Sequence, residues 1–251
     1  MSSEPPLAKC VGGVWLTAGE KHYADMITAK GRFPQVRLNG FPSNSGSYPG
    51  GWKRPIIDGK TCLGFRWIQA AVKLSKRRRV AVDVGANHGV WSMWLVGLFS
   101  HVHAFEPVPE VAAILPRNME PHENYTLHNF ALGDEGGHVT MTVPLEATAY
   151  SHINPTGSPL QPDVVSAVMR TLDSFEIQDV DLLKIDVEGY ELQVLLGAEQ
   201  TIRSCRPIIV IEQNGQEERY GVKRDSALKL LKDWGARELD VIKGDYFLGW
   251  D

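Results

Sequence analysis

A glycine loop that follows an apolar strand constrains this 251-residue chain more than any other feature. The segment VAVDVGANHG (80–89) starts with β-branched residues, reaches an acid at Asp83, and continues into a loop that contains Gly85 and Gly89. In a parallel α/β sheet such a turn lies outside the carboxyl end of a strand, where doubly wound folds bind ligands. Glycine lets the backbone approach a ligand that a Cβ would keep away. Glu106 ends the next apolar strand, so its carboxylate is placed to bind a ribose diol. The pattern predicts a site for a nucleoside-containing cofactor.

Alternating strand and helix patterns follow the loop to the end of the chain. Strands are predicted at 80–84, 102–106, 125–132, 181–187, 207–213, 237–242 and 246–250. Two further strands, at 138–143 and 168–172, are predicted between the third and fourth of these. A dinucleotide fold would repeat a second parallel half, which this pattern lacks. The alternation instead predicts an α/β, Rossmann-like fold, and its strand count resembles that of the class I methyltransferases. We expect a seven-stranded, mostly parallel sheet with an antiparallel last strand.

The first 79 residues lack this alternation of strand and helix patterns. Residues 31–52 are rich in Gly, Pro, Ser and aromatic side chains, which favours loops. Apolar residues at helical spacing predict a helix over 64–76 that leads into the first strand. We therefore divide the chain into an N-terminal extension, residues 1–79, which is a candidate substrate lid, and a cofactor-binding domain, residues 80–251.

Composition excludes few functional classes. A net charge of −4 gives no overall basic surface, which argues against a dominant nucleic-acid-binding role. No apolar stretch is long enough to span a membrane, and the first residues, MSSEPPLAKC, do not resemble a signal peptide. The sequence thus predicts a cytoplasmic protein without membrane contact.

The loop composition favours one cofactor. Its pattern, Asp83-x-Gly85-x-x-x-Gly89, is not the G-x-G-x-x-G dinucleotide fingerprint, because Asn87 and His88 occupy the middle. An acid beside the loop suits a pyrophosphate poorly. S-adenosylmethionine (SAM) has no phosphate and carries an ammonium and a sulfonium, which an acid favours. SAM is therefore the predicted cofactor, and a nicotinamide oxidoreductase is disfavoured.

A second cluster of polar residues follows the later strands. Asp186 ends the strand in LLKIDVEGYELQVLLGA (182–198) and Glu188 lies in the next turn, where a carboxylate can act as general base. The less favoured interpretation is that both acids are helix-start residues stabilised by the helix dipole. His152, in a variable loop, is a third candidate base because its ordinary pKa suits proton transfer.

A divalent metal is considered but not favoured. Glu212 and Asn214 end the next strand, and with Asp186 they offer the oxygen ligands that Mg²⁺ or Ca²⁺ prefers. This set loosely resembles the magnesium site of catechol-type O-methyltransferases. Acids are common at sheet edges, however, so the set is weak support for a metal.

The motifs VDVGANHG, HAFEPVP, ALGD, TLDSF and KIDVEGYELQVLLGA resemble the FkbM-type methyltransferases in order and spacing, over about residues 80–215. The resemblance implies a class I fold, SAM as methyl donor, and O-methylation of a hydroxyl on a sugar or similar acceptor. With the loop analysis, it predicts cofactor contacts from Asp83, Gly85, Ala86, Asn87, His88, Gly89, Glu106, Pro107, Ala131 and Asp186. His88 departs from the small or aliphatic residue usual in the family. Several phage- and bacteria-encoded members resemble this chain even in the closing GDYFLGW. If the protein is phage- or virus-encoded, the predicted location is the host cytoplasm.

Two alternatives stay open beside a sugar or glycan O-methyltransferase. One is an RNA ribose 2′-O-methyltransferase, which also methylates a hydroxyl. Such enzymes need a lysine near the strand-four acid, and we expect Lys184 to point away from Asp186 by strand alternation. The other is a module that binds SAM without catalysis.

Overall fold

The protein is described by a computed structural model for residues 8–11, 14–17, 65–120, 122–144, 148–155 and 164–251. The predicted loop region 31–52 lies outside these residues. The strands are β1 (Ala8–Val11), β2 (Val14–Thr17), β3 (Val80–Val84), β4 (His101–Phe105), β5 (Tyr125–His128), β6 (Ala131–Leu132), β7 (Gly137–Thr142), β8 (His152–Ile153), β9 (Val164–Arg170), β10 (Val180–Ile185), β11 (Ile208–Glu212), β12 (Arg237–Ile242) and β13 (Asp245–Gly249). The α-helices are α1 (Phe65–Leu74), α2 (Ser92–Leu95), α3 (Pro109–Ala112), α4 (Leu115–Met119), α5 (Glu191–Leu196), α6 (Glu199–Cys205) and α7 (Ser226–Asp233).

The central sheet has seven strands in the order β12-β13-β11-β10-β3-β4-β5. Neighbours from β11 to β5 pair in parallel, and β13 runs antiparallel to both β11 and β12. The predicted seven-stranded sheet with a reversed last strand is confirmed. The chain extends the sheet from β3 towards β5 and later, through β10, in the opposite direction. The point between β3 and β10 is therefore a topological switch point, where open α/β sheets bind ligands.

The sheet is buried on both faces by helices. On one face Ile68 and Val72 of α1 pack with the sheet residue Phe247. On the other, Leu195 of α5 and Leu231 of α7 cover the sheet. Burial of one such side chain contributes about 2 kcal/mol. The helix that we predicted as a lead-in thus lies in the same core as the strands. Whether residues 1–79 form a separate extension stays a prediction, because most of them lie outside the described residues.

A second, smaller sheet covers one end of the first. Its four strands follow the order β6-β9-β7-β8, and β7 and β9 correspond to the predicted extra strands. The predicted third strand, 125–132, was wrong in its extent, because it divides into β5 and β6, which belong to different sheets. The break comes at Asn129, whose side-chain amide donates to the Glu106 carbonyl at 2.7 Å. Between the sheets Val108, Val111, Met141, Val143 and Ala167 form a separate apolar cluster.

The N-terminal hairpin pairs β1 with β2 in antiparallel register. Among the described residues, every helix is too short or too polar to cross a membrane.

Candidate active site

A cavity of about 290 Å³ opens at the switch point, close to the small end of ligand pockets. The glycine loop after β3 and the turn after β10 form the wall of the cavity next to the central sheet. The small sheet contributes Met141 and Ile153 to one wall, and α1 contributes Trp67 to another. The cavity therefore brings together residues from separate parts of the chain at the carboxyl ends of the central strands.

Local geometry requires glycine at the start of the loop. Gly85 has φ +75°, and a Cβ there would lie 1.9 Å from the Asp186 carbonyl oxygen. The Gly85 and Ala86 amides both donate to the Phe105 carbonyl, at 3.1 and 2.9 Å. Asn87 also has a positive φ, 50°, and its side-chain amide donates to the Thr148 carbonyl at 3.0 Å. The loop is thus held between β4 and β10 and exposes its backbone to the cavity.

Glu106 lies at the edge of this loop, as the sequence predicted. Its Oε2 accepts from the Asn87 amide at 2.8 Å, and its Oε1 accepts from the Val108 amide at 2.9 Å. Burial raises the pKa of Glu106 to about 7, although the two amide donors oppose the rise. Each oxygen keeps a second lone pair for a ligand hydroxyl. Pro107 and Ala131, two further predicted contacts, also line the cavity.

Asp83 has a different place from the one we predicted. Its side chain is fully buried beneath the loop and is not among the residues that line the cavity. Oδ2 accepts from the Ser92 hydroxyl at 2.6 Å, and Oδ1 lies 3.2 Å from Lys184 Nζ. The acid therefore supports the loop and holds a buried cation.

His88 and Gly89 also lie behind the loop rather than on the cavity wall. His88 is fully buried, and burial lowers its pKa to about 3. Its carbonyl accepts from the Asn118 side-chain amide at 2.7 Å. Gly89 has φ +82° and a Cβ there would lie 3.0 Å from Leu115 Cγ. Both residues shape the turn into α2, and the structure does not place their side chains against a cofactor.

Lys184 corrects another expectation. Asp186 directly follows β10, two positions after Lys184, so the two side chains share a face, and the parallel register sets Lys184 beside Asp83. Nζ lies 3.4 Å from Asp186 Oδ2 and donates to the Gly85 carbonyl at 2.8 Å. Burial lowers the pKa of Lys184, but the carboxylates of Asp83 and Asp186 outweigh it and raise the pKa above the ordinary value. Lys184 is therefore a buried ammonium that ties β3, β10 and the loop together.

Three carboxyl groups converge on the cavity beside Lys184. One oxygen from each of Asp186, Glu188 and Glu212 lies within 4.8 Å of the others. Burial, reinforced by Asp186, raises the pKa of Glu188 to about 7 and that of Glu212 to about 9. Of the proposed metal set, Asp186 and Glu212 thus meet. Asn214 is exposed and its Oδ1 accepts from the Gln216 amide at 3.1 Å, so Glu188 takes the third position.

The turn after β10 holds Glu188 in a fixed orientation. Glu188 has φ +57° and Gly189 has φ +105°, and a Cβ at Gly189 would lie 2.6 Å from the Gln216 carbonyl oxygen. Glu191 Oε1 accepts from the Val187 and Gly189 amides, at 3.2 and 3.0 Å. The Gln216 side-chain amide donates to Glu188 Oε2. The KIDVEGYE motif is therefore a rigid turn that presents one carboxylate to the cavity.

Trp67 and Asp245 line the cavity but were missed by sequence reasoning. Trp67 Nε1 donates to the Ile242 carbonyl at 3.1 Å and to Asp245 Oδ2 at 2.5 Å. Burial and the nearby Asp186 raise the pKa of Asp245 to about 6. The two residues are 178 positions apart, and each is ordinary in its local context, a helix face and a hairpin turn. No local signal could have paired them.

His152 is not brought to the cavity with the other candidate bases. Its neighbours Ser151 and Ile153 line the wall, and strand alternation turns the imidazole to the other face. Nδ1 lies 2.9 Å from the Tyr150 carbonyl oxygen, and burial lowers the pKa of the ring. His152 therefore does not line the cavity, and its role as a base stays a prediction.

Comparison with known proteins identifies the family of this chain. A family profile described as the methyltransferase FkbM domain matches residues 83–238. The 2-O-methyltransferase NoeI of Sinorhizobium fredii is 26% identical over 163 residues, which cover 57% of this chain and 67% of NoeI. The hexuronic acid methyltransferase AglP of Haloferax volcanii is 26% identical over 153 residues, which cover 60% of each chain. The solved structure of a methyltransferase FkbM from Methylobacillus flagellatus is 19% identical with a TM-score of 0.43, covering 68% of this chain and 43% of that one.

The curated relatives are longer than the shared segment, which spans 60% to 67% of their lengths. The profile match covers more than half of this chain and includes the glycine loop, Glu106 and the three carboxyl groups. The resemblance predicted from VDVGANHG and KIDVEG is confirmed, and the chain belongs to the methyltransferase FkbM domain family.

Proposed function

We propose that this protein is a SAM-dependent O-methyltransferase that methylates a hydroxyl of a sugar or glycan. One observation carries the proposal: a single cavity joins the Gly85–Asn87 loop and Glu106 to the carboxyl groups of Asp186 and Glu188. The first set suits a nucleoside and the second suits a hydroxyl that must lose its proton. The names of NoeI and AglP, which act on a 2-hydroxyl and on a hexuronic acid, support a carbohydrate acceptor.

The donor is assigned to the loop side of the cavity. SAM, when bound, supplies a methyl group on a sulfonium. Glu106 accepts hydrogen bonds from the ribose, because its oxygens are oriented by two backbone amides. Ala86, Pro107 and Ala131 supply apolar contacts to the adenine or ribose. Asp83 acts indirectly, by holding Lys184 and the loop in place.

Glu188 is the proposed general base. Asp186 lies 3.4 Å from the Lys184 ammonium, so its carboxylate is already engaged by a cation. Glu188 instead accepts a hydrogen bond from the neutral side-chain amide of Gln216, and burial raises the pKa of Glu188 to about 7. A base is most effective when its pKa lies near the working pH. Asp186 is left to position the acceptor hydroxyl and the donor.

The acceptor is assigned to the side that holds Trp67. An indole ring offers an apolar face to the C–H groups of a sugar while its N–H stays hydrogen-bonded, here to Asp245. Tyr190 lines the same cavity and gives a second aromatic edge. Carboxylates accept hydrogen bonds from sugar hydroxyls. These groups together match a small polyhydroxylated ring.

The test is transfer of a labelled methyl group from SAM to a panel of saccharides and RNA, with Glu188→Gln beside the wild type. We expect saccharide labelling by the wild type and a loss of about 10²–10⁴-fold in Glu188→Gln, the range of general-base catalysis. Glu199→Gln is the matched control, because Glu199 is an exposed carboxylate paired with Arg203. SAM binding without transfer to any acceptor would instead favour the non-catalytic module, and labelled RNA alone would favour the ribose 2′-O-methyltransferase.

A further inference from the structure

We propose that Tyr220 is a positioning residue for methyl transfer, which fixes the separation between two walls of the cavity. One wall belongs to the small sheet and includes Ile153, and the other is the turn after β10, which carries Tyr190. Tyr220 itself is not among the residues that line the cavity. The inference rests on the proposed function, which places the donor and the acceptor between these walls.

Tyr220 contacts both walls through different parts of its side chain. Its hydroxyl donates to the Ile153 carbonyl at 2.8 Å. Its ring meets the Tyr190 ring edge to face, with the ring centres 5.0 Å apart and an interplanar angle of 75°, an arrangement that aromatic pairs prefer. Burial raises the pKa of Tyr220 to about 12, so the hydroxyl keeps its proton at neutral pH. One side chain therefore connects the small sheet to the turn after β10.

The strand that carries Ile153 depends on this outside contact. β8 has two residues and lies at the edge of the small sheet, next to β7. The Asn154 amide donates to the Thr140 carbonyl at 2.7 Å, so Ile153, one residue earlier, occupies a non-hydrogen-bonded position opposite Met141. The carbonyl of such a residue points away from the neighbouring strand. The hydroxyl of Tyr220 supplies the hydrogen bond that β7 does not.

The short 3₁₀ helix Gln216–Tyr220 holds this tyrosine against the turn after β10. The Gln216 side-chain amide donates to Glu188, and Arg219 Nη1 donates to the Glu188 carbonyl at 3.4 Å. The Gln216 carbonyl oxygen packs so closely that a Cβ on Gly189 would lie 2.6 Å from it. The 3₁₀ helix and the turn are therefore joined, and the hydroxyl at the end of the 3₁₀ helix sets the position of the small sheet.

The wall segment 148–153 has a second anchor on the donor side. The Asn87 side-chain amide donates to the Thr148 carbonyl at 3.0 Å, which ties the segment to the glycine loop. Between the two anchors the segment runs along the cavity, with Ser151 on the wall. Loss of the Tyr220 hydroxyl releases one end alone. We therefore expect the protein to fold without it, with a changed separation of the two walls.

The size of the cavity makes this separation important. Its volume is about 290 Å³, close to the lower limit for ligand pockets. Methyl transfer is an in-line displacement, and a misplacement of about 1 Å can cost about 10²-fold in rate. Glu106 and the glycine loop hold the donor from the side of β3 and β4, away from the Tyr220 contact with Ile153. A displaced wall should therefore lower kcat more than it weakens SAM binding.

The experiment compares Tyr220→Phe with the wild type, because phenylalanine keeps the ring contact and removes the hydroxyl alone. We measure kcat and the acceptor KM with tritiated methyl SAM and the best saccharide of the panel above, and the Kd of SAM by calorimetry. We expect kcat to fall about tenfold, with the Kd of SAM changed by less than about twofold. Tyr125→Phe is the control, since Tyr125 is also half-buried but lies at the start of β5, at the opposite end of the strands from the cavity.

Hydrogen exchange tests the contact without any acceptor. The Asn154 amide lies next to Ile153 in the ladder with β7, so it should exchange about fivefold faster or more in Tyr220→Phe and at the wild-type rate in Tyr125→Phe. Unchanged exchange, an unchanged kcat, or equal losses of kcat and SAM affinity would each overturn the inference and leave methyl transfer intact. If the wild type binds SAM and labels no acceptor, the proposed function fails, and the role of Tyr220 in transfer fails with it.

Discussion

The ammonium of Lys184 lies 3.2 Å from the carboxylate of Asp83, and both groups are almost fully buried beneath the glycine loop. Lys184 also donates to the Gly85 carbonyl at 2.8 Å and approaches Asp186. This pair therefore links β3 and β10 to the glycine loop, where the donor is proposed to bind. The conformation of the candidate active site therefore depends on this buried charge pair.

Removal of either Lys184 or Asp83 should destabilise the fold, because it leaves an uncompensated charge in the interior. We expect Lys184→Met to reduce the free energy of unfolding by about 3–5 kcal/mol. Thermal or urea unfolding measures the loss, and SAM affinity should fall in the same variant. The double variant Asp83→Asn/Lys184→Met is the control, since it removes both charges. If it is no more stable than Lys184→Met alone, the ion pair is not the cause.

The proposed role of Glu188 as general base predicts how the reaction rate depends on pH. A general base acts only when deprotonated, and burial with the charge of Asp186 raises the pKa of Glu188 to about 7. The rate should therefore be highest above pH 7 and fall about tenfold for each pH unit below it. Measurement of kcat from pH 5 to 9 tests this, with Glu188→Asp as a variant that keeps the base but shifts its position. A flat profile in the wild type would contradict the assignment.

Glu106 should control donor affinity rather than acceptor affinity. Glu106→Ala removes charge-assisted hydrogen bonds to a ribose, each worth about 1.5–3 kcal/mol, so SAM should bind about 10- to 100-fold more weakly. Calorimetric titration with SAM or its demethylated product gives the Kd. Glu110→Gln is the matched control, because Glu110 is an exposed acid in the next helix. An unchanged Kd in Glu106→Ala would place the nucleoside elsewhere.

Gly85 should tolerate no side chain. In Gly85→Ala the new Cβ would lie 1.9 Å from the Asp186 carbonyl oxygen, and the residue would keep a φ of +75° that alanine disfavours. We expect a loss of stability and of SAM binding, measured together by thermal unfolding with and without SAM. Gly137→Ala is the control, since no atom lies within 4 Å of the position of its Cβ. Comparable effects of the two substitutions would refute the close approach of β3 and β10.

A divalent metal should not be required. Asp186 belongs to the carboxyl cluster with Glu188 and Glu212. The ammonium of Lys184 already supplies positive charge beside it. We expect methyl transfer to persist after exhaustive treatment with EDTA and to gain less than about twofold from added Mg²⁺. Loss of activity on chelation, restored by Mg²⁺, would instead assign Asp186, Glu188 and Glu212 as ligands.

Local sequence patterns determined the class of the fold and most of the donor side. The β-branched strand before Gly85, the position of Glu106 and the alternation of strands and helices each act over a few residues, so they can be read along the chain. They predicted the seven-stranded sheet and its reversed last strand, and they placed Asp186 and Glu188 at the edge that binds ligands.

Tertiary structure alone decided the acceptor side and the roles within the site. Trp67 meets Asp245 across 178 positions, and Glu212 meets Glu188 because β11 lies beside β10. Burial also distinguished Asp83 from the other predicted cofactor-binding residues. Asp83 lies beneath the loop and supports it, and Lys184 is its ion-pair partner. The side chain of His152 points away from the cavity because Ile153, its neighbour in β8, points towards it. Distance between segments and exclusion of water set these roles, and neither quantity is encoded in a local pattern.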